Sequence, residues 1–297
     1  MFYLNREQIC LSNLIFNLSS LLLKIIMSKS NNQLKFLFRA DKTNVGDWVC
    51  PPFHYFPFRP NFIGDVININ FELNSEDILI LGGGGIGSKF FSPHLDRIKK
   101  KGLSQTILWG AGVDSYVDKT KILMNGEYDL YGNYFDFIGD VGTRVYSEPQ
   151  KFRYVPCASC MNNLFFKYRE KKNKHFLGFY NHKRVPLLTK DNKDNIPVED
   201  NNGNNFEEKL EFLSSCEYIV TNTYHGAYWA TLLQKKVIVI PYKSGLMSLK
   251  HKPVYCWDGT ISDEILHSAK VYNGVLEEHR KLNLDFYKYL TDKYPLV

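Results

Sequence analysis

Ile219-Val-Thr-Asn-Thr-Tyr-His-Gly-Ala-Tyr-Trp-Ala-Thr231, followed by Val237-Ile-Val-Ile-Pro-Tyr-Lys-Ser-Gly245, has the pattern of strand, loop, helix and second strand. The apolar run before Thr221 suits a buried parallel strand. Thr221 to His225 form its polar tip, and Gly226, Ala227 and Ala230 suit a helix packed closely on a sheet. Open α/β sheets bind ligands outside the carboxyl ends of their strands. His225 and Lys243 stand at two such ends. The alternative assigns His225 to capping the helix and Lys243 to a solvated loop.

The same pattern recurs upstream. Leu34 to Arg39 reads as a strand running into Asn44-Val-Gly-Asp47, a turn in which Gly46 permits a tight backbone and Asp47 can cap the next element. A short helix from Trp48 is broken by Pro51 and Pro52. Asp65 to Asn70 and Asp77 to Leu81 read as strands, the second feeding Gly82-Gly-Gly-Gly85. Four glycines after a buried strand let backbone N–H groups approach an anion; the alternative is a tight turn under a neighbouring loop. The spacing is neither the dinucleotide G-x-G-x-x-G nor a P-loop. A helix over His94 to Lys101, a strand ending at Gly110-Ala-Gly112, and a strand over Tyr134 to Ile138 ending at Gly139-Asp-Val-Gly-Thr-Arg144 complete a first unit.

Beyond it, Lys167 to Lys174 reads as a solvated charged linker. Phe176 to Tyr180 starts a second α/β unit, and Thr189 to Asn205 reads as a mobile surface loop. Phe206 to Ser215 is an amphipathic helix with Phe206, Leu210 and Leu213 on one face. The chain after Trp257 is mostly helical, and Leu276 to Tyr294 is expected to pack back on the first unit.

At 297 residues and 44% hydrophobic content the chain is globular and long enough for two domains. A net charge of +6 favours an anionic ligand or a membrane surface. It is too diffuse for nucleic acid, since there is neither a basic helix nor an aromatic-interleaved basic strand. Of six cysteines, only Cys157 and Cys160 are spaced C-x-x-C. With no second pair at matching spacing, they read as reduced, partly buried thiols, with a metal or redox role as the lesser alternative. Leu11 to Ile26 is too short and too polar for a membrane span and lacks a signal-peptide cleavage site. It reads as an extension outside the catalytic fold, lying on the protein or on a membrane.

Asn44-Val-Gly-Asp47, Ile78-Leu-Ile-Leu-Gly-Gly-Gly-Gly85, Leu108-Trp-Gly-Ala-Gly112, Thr221-Asn-Thr-Tyr-His-Gly226 and Val237-Ile-Val-Ile-Pro241, taken in order, resemble the polysaccharide pyruvyl transferase family over residues 34–250. The resemblance implies an α/β fold of the GT-B kind: two Rossmann-like domains whose parallel sheets face a central cleft. The expected division is an extension over 1–33, a first domain over 34–165 and a second over 166–297. It implies a transferase that moves pyruvate from phosphoenolpyruvate to a sugar as a ketal in glycan biosynthesis. A nucleotide-sugar glycosyltransferase and a non-catalytic glycan-binding relative are the alternatives.

His225 matches the family histidine and is the expected catalytic acid. Lys243 matches a basic donor-binding position. The family places an arginine directly after the last strand of the first domain, where Gly139 and Asp140 stand; Arg144, four residues beyond Asp140, is the candidate. Thr223 and Tyr224 occupy the place of a second family arginine and are assigned to the donor. Asn44, Gly46, Asp47, Gly83, Gly84 and Gly85 are assigned to the acceptor or to phosphate. No metal and no cofactor is expected, phosphoenolpyruvate being a co-substrate. The acceptor is a sugar or polysaccharide, free or lipid-linked. The expected location is cytoplasmic, peripheral to a membrane if the N-terminal stretch engages one.

Overall fold

The structure is a computed structural model that describes residues 33–68, 72–103, 105–113, 138–147, 150 and 152–297. Of the expected N-terminal extension over 1–33, residues 1–32 lie outside the described residues, as do residues 134–137 of the strand expected over Tyr134 to Ile138.

The first half builds a six-stranded sheet in the order β2-β1-β3-β4-β5-β6. Its strands are β1 (Leu34–Phe38), β2 (Phe62–Asp65), β3 (Ile78–Gly82), β4 (Gln105–Ala111), β5 (Asp140–Thr143) and β6 (Arg153–Tyr154). All pair in parallel. Helix α1 (Val45–Val49) follows β1, and α2 (Ser92–Lys99) follows β3. Side chains alternate across the strands as the pleat requires. Leu37, Leu79, Leu81 and Leu108 face α2, whose Leu95 and Ile98 cover them. Phe36, Ile80, Ile107 and Trp109 face the other way.

The second half follows α3 (Leu164–Arg169) and has a five-stranded parallel sheet in the order β11-β10-β9-β7-β8. Its strands are β7 (His175–Asn181), β8 (Val198–Asp200), β9 (Cys216–Thr221), β10 (Lys236–Val239) and β11 (Val254–Tyr255). Helix α4 (Phe206–Ser215) precedes β9, and α5 (Tyr224–Leu232) links β9 to β10. Phe206, Leu210 and Leu213 are buried on one side of α4, as its periodicity requires. After β11, α6 (Asp263–Ser268) covers the far face of this sheet through Ile265 and Leu266.

The long α7 (Val275–Lys293) then crosses to the first sheet, where Phe286 and Leu290 pack with Phe36, Ile80 and Trp109. Burying each such side chain is worth about 1.5–3 kcal/mol. Trp109 Nε1 donates to Asn283 Oδ1 at 2.9 Å, inside the apolar layer. Asn283 Nδ2 donates to the Pro156 carbonyl at 3.2 Å.

Four sequence expectations change. The strand expected over Asp65 to Asn70 is Phe62–Asp65, and Asn70 is outside the described residues. The charged stretch from Lys167 is not a linker at its start: α3 runs through Arg169, with Phe165 and Tyr168 buried beneath its charges. The loop expected over Thr189 to Asn205 contains β8. Gly139-Asp-Val-Gly-Thr is not wholly loop, since Asp140–Thr143 is β5. Asp140 is anchored there by Tyr289, Lys293 and Tyr294 of the C-terminal segment. Gly142 leaves room for the Phe286 ring, which a Cβ would meet at 2.7 Å.

Candidate functional site

Both sheets turn the same topological corner. β2 and β3 flank β1, and β8 and β9 flank β7. A crevice opens at such a switch point, beyond the carboxyl ends of the strands. Here the two crevices share one cleft of about 730 Å³, reached by Asn44 and Asp47 after β1, Gly85 after β3 and Arg144 after β5. The second half contributes Thr223, Tyr224 and His225 after β9, and Lys243 after β10. The halves are stitched along its rim. Val45 N donates to Asn201 O at 3.1 Å, and Lys183 Nζ donates to Thr43 O at 2.5 Å.

Because β5 ends at Thr143, Arg144 directly follows a strand. Its backbone N–H donates to Ala111 O at 3.0 Å. Its side chain passes over Gly112, where a Cβ would stand 2.6 Å from Nε. The guanidinium lies 3.7 Å from the centre of the Tyr224 ring. Arg144 is only 4% exposed, and its Nη1 has no hydrogen-bond partner among the described residues. A buried cation with an unmatched donor on a cleft wall is placed to take an anion.

His225 does not cap its helix. Thr223 does, its Oγ1 accepting from Gly226 N at 2.8 Å. The Thr223 hydroxyl assigned to the donor is therefore already engaged. His225 sits in the first turn of α5, its ring against Trp229 at 4.9 Å between centroids. Its Nε2 is 3.5 Å from Cys157 Sγ. Gly46 presses on the other edge, where a Cβ would fall 2.1 Å from Nδ1. Burial, and then the positive Arg144, hold the His225 pKa well below its ordinary value. The imidazole is neutral at pH 7 in this state, not the imidazolium expected of a resting acid.

Asn44 takes the capping role expected of Asp47, its side chain accepting from Gly46 N at 3.2 Å. Asp47 instead accepts from Asn44 Nδ2 at 2.8 Å and faces the cleft. Burial raises its pKa to about 6, against the opposing charge of Arg144.

The glycine run divides. Gly83 N donates to Trp109 O at 2.9 Å, and Gly84 O accepts from Gly112 N at 2.8 Å. Both have positive φ, and a Cβ on Gly83 would strike Cys50 Sγ at 2.2 Å. Gly83 and Gly84 thus form a turn under α1, and Gly85 alone of the three lines the cleft.

Cys50, Cys157, Cys160, Cys216 and Cys256 are all free and buried, more so than expected. Burial pushes the Cys160 thiol up to about 12. The side chains that do come together with metal-ligand chemistry, His251, Glu278 and His279, lie outside the cleft.

Sequence reasoning missed Arg39, Lys183, Asn201 and Asn222 on the cleft wall. Arg39, Lys183 and Asn222 each follow the carboxyl end of a strand by one or two residues, which was the available signal. They mainly hold the loops. Arg39 pairs with Asp65, and Asn222 Oδ1 accepts from His182 N at 2.7 Å.

Residues 143–244 match the family model of polysaccharide pyruvyl transferase. That span opens one residue before Arg144, closes one residue after Lys243 and contains His225. A solved structure of an uncharacterized protein from Klebsiella pneumoniae subsp. pneumoniae NTUH-K2044 is 18% identical, with 75% of this chain and 88% of that chain covered at a TM-score of 0.40. No curated protein matches the chain. Among the described residues no helix is long and apolar enough to cross a membrane.

Proposed function

We propose that the chain transfers pyruvate from phosphoenolpyruvate to a sugar as a ketal. The family match over 143–244 supports a transferase of the polysaccharide pyruvyl kind. The observation that carries the donor is Arg144, buried beside His225 with a free guanidinium nitrogen. Phosphoenolpyruvate carries a phosphate and a carboxylate, for which a guanidinium fork, an ammonium and a helix N-terminus are suited partners. Arg144, Lys243 and the first turn of α5 supply these in one cleft.

In this reading the donor's negative charge offsets the two causes that hold His225 neutral, and the ring gains a proton beside it. His225 gives that proton to the methylene carbon, and C2 develops oxocarbenium character. A sugar hydroxyl attacks C2 and loses its proton to a base, a role for which Asp47 is suited by its raised pKa. The C–O bond to phosphate then breaks and phosphate leaves. A second hydroxyl adds to the same carbon and loses its proton, closing the ketal. General acid catalysis of this kind contributes roughly 100- to 10,000-fold.

The cleft, at about 730 Å³, also has room for a nucleotide sugar, and a glycosyltransferase on the same frame is the second reading. Thermal-shift titration of the full chain separates them. Phosphoenolpyruvate at 100 times its dissociation constant adds about 2.7 kcal/mol. Stabilisation by a UDP-, GDP- or CMP-sugar with no response to phosphoenolpyruvate would overturn the pyruvyl reading.

A further inference from the structure

A second cluster lies where α7 meets α5 and the segment after β10. Tyr228 OH donates to the Cys157 carbonyl at 3.0 Å. A phenol has a single proton. The 3.3 Å contact between Tyr228 OH and His279 Nδ1 therefore runs the other way, with Nδ1–H donating to the tyrosine oxygen. A neutral imidazole has one N–H, so Nε2 of His279 is a bare lone pair. It is buried, with no hydrogen-bond partner among the described residues. His279 itself is 3% exposed, and burial holds its pKa down to about 3.

Two further ligand side chains lie beside His279. A ring nitrogen of His279, a ring nitrogen of His251 and a carboxylate oxygen of Glu278 lie within 4.8 Å of one another. His251 Nε2 and Glu278 Oε2 are paired at 2.9 Å; tetrahedral ligands about 2.0–2.2 Å from one ion stand roughly 3.4 Å apart, so taking up the ion opens this pair by about half an ångström. The other carboxylate oxygen is held by Lys250 Nζ at 2.5 Å, which orients the group without covering Oε2. His251 and Glu278 keep part of their surface in solvent, so an ion has a way in.

We propose that His251, Glu278 and His279 form a site for a divalent metal of the zinc class, with the remaining position left to water. Two imidazoles and one carboxylate are a ligand set that zinc and its neighbours favour. The Nδ1–H of His279 on Tyr228 is the outer hydrogen bond such a histidine needs to present Nε2. The ion would clamp the segment after β10 to the first turns of α7. Through Tyr228 it would also tie α7 to the helix that begins with Tyr224 and His225.

The test uses the full chain, stripped with a chelator and titrated with zinc chloride by calorimetry. One zinc per chain is expected, weakened at least about tenfold in His251→Ala and in Glu278→Gln. Cys157→Ala, buried beside His225, should leave binding unchanged. Failure of the stripped chain to take up zinc, or wild-type affinity in both variants, overturns the proposal. Cobalt guards against a variant that fails to fold. A wild-type cobalt spectrum free of a thiolate charge-transfer band supports the nitrogen and oxygen ligands, whereas a strong thiolate band assigns the ion to cysteine and refutes them.

Discussion

The Arg144 guanidinium lies flat enough on Tyr224 to sit 3.7 Å from its ring centre. The first residue of the histidine-bearing helix is therefore the platform for the arginine that follows β5, and the two halves of the protein meet in that stack. A buried cation–π contact is worth roughly 2 kcal/mol. Tyr224→Phe should keep donor affinity, because the ring suffices. Tyr224→Leu should weaken donor binding by about tenfold or more, since 1.4 kcal/mol is a factor of ten. Donor titrations of both variants check this, and equal losses would show that the hydroxyl matters instead.

Arg144→Lys keeps a positive charge but removes the fork. A hydrogen bond to a charged group contributes about 1.5–3 kcal/mol, so the donor's dissociation constant should rise roughly 10- to 100-fold. The His225→Ala variant should differ: turnover at saturating donor falls far more than binding does. Loss of binding with turnover intact would remove His225 from the chemistry.

Gly46→Ala places a methyl where the His225 ring stands, 2.1 Å from Nδ1. Backbone lies on one side of that contact, so the imidazole must move. Turnover should fall by about two orders of magnitude, as a small misplacement of a catalytic group does, while the folded far-UV spectrum persists. Near-wild-type turnover would show that the ring's present position is not the productive one.

Stability should depend on pH through His225. Its folded pKa is depressed, whereas in the unfolded chain it is about 6.5. Below that value the unfolded chain binds a proton that the fold refuses, so this contribution to stability is lost as pH falls. Asp47, raised to about 6, acts in the opposite sense, since the fold keeps its proton while the unfolded chain releases it. Urea midpoints of wild type and His225→Asn at pH 7 and pH 5 isolate the histidine. Wild type should lose up to about 2 kcal/mol relative to the variant, at about 1.4 kcal/mol per unit. A constant gap between them would mean that the histidine titrates normally.

Asn283 offers a test away from the cleft. Asn283→Leu leaves the Trp109 N–H and the Pro156 carbonyl without their partner. Each orphaned group costs about 1–3 kcal/mol. The melting temperature should drop by several degrees while donor affinity at a permissive temperature stays put. An unchanged melt would mean that water replaces the amide.

β1, β3, β4, β7, β9 and β10 were legible because each is a local apolar run closed by glycine or a polar tip. His225 was legible because Thr-Asn-Thr-Tyr-His-Gly closes such a run. β5 of the first sheet was not. Gly139-Asp140 reads as a turn, yet Asp140 pairs with Ile107 of β4, and its carboxylate is held by Tyr289, 149 residues on. That misreading displaced Arg144 from the strand end where it belongs. Cys157 against His225 was equally hidden, since the contact spans 68 residues and no local pattern encodes it. The glycine run misled in another way: backbone freedom looks alike whether a turn or an anion requires it.

The bond between Trp109 and Asn283 joins positions 174 residues apart, with consequences for how the protein is made. On the ribosome the first sheet emerges with Phe36, Ile80 and Trp109 on one face, covered in part by Phe53, Phe56 and Phe58, and the rest of their cover is not synthesised until α7. At about 5–20 residues per second, that face waits many seconds for its lid. An apolar face held open that long is a binding surface for chaperones and for other nascent copies. Chains stopped before residue 275 should therefore be retained by chaperones or aggregate, even though every residue assigned to the cleft has already been made.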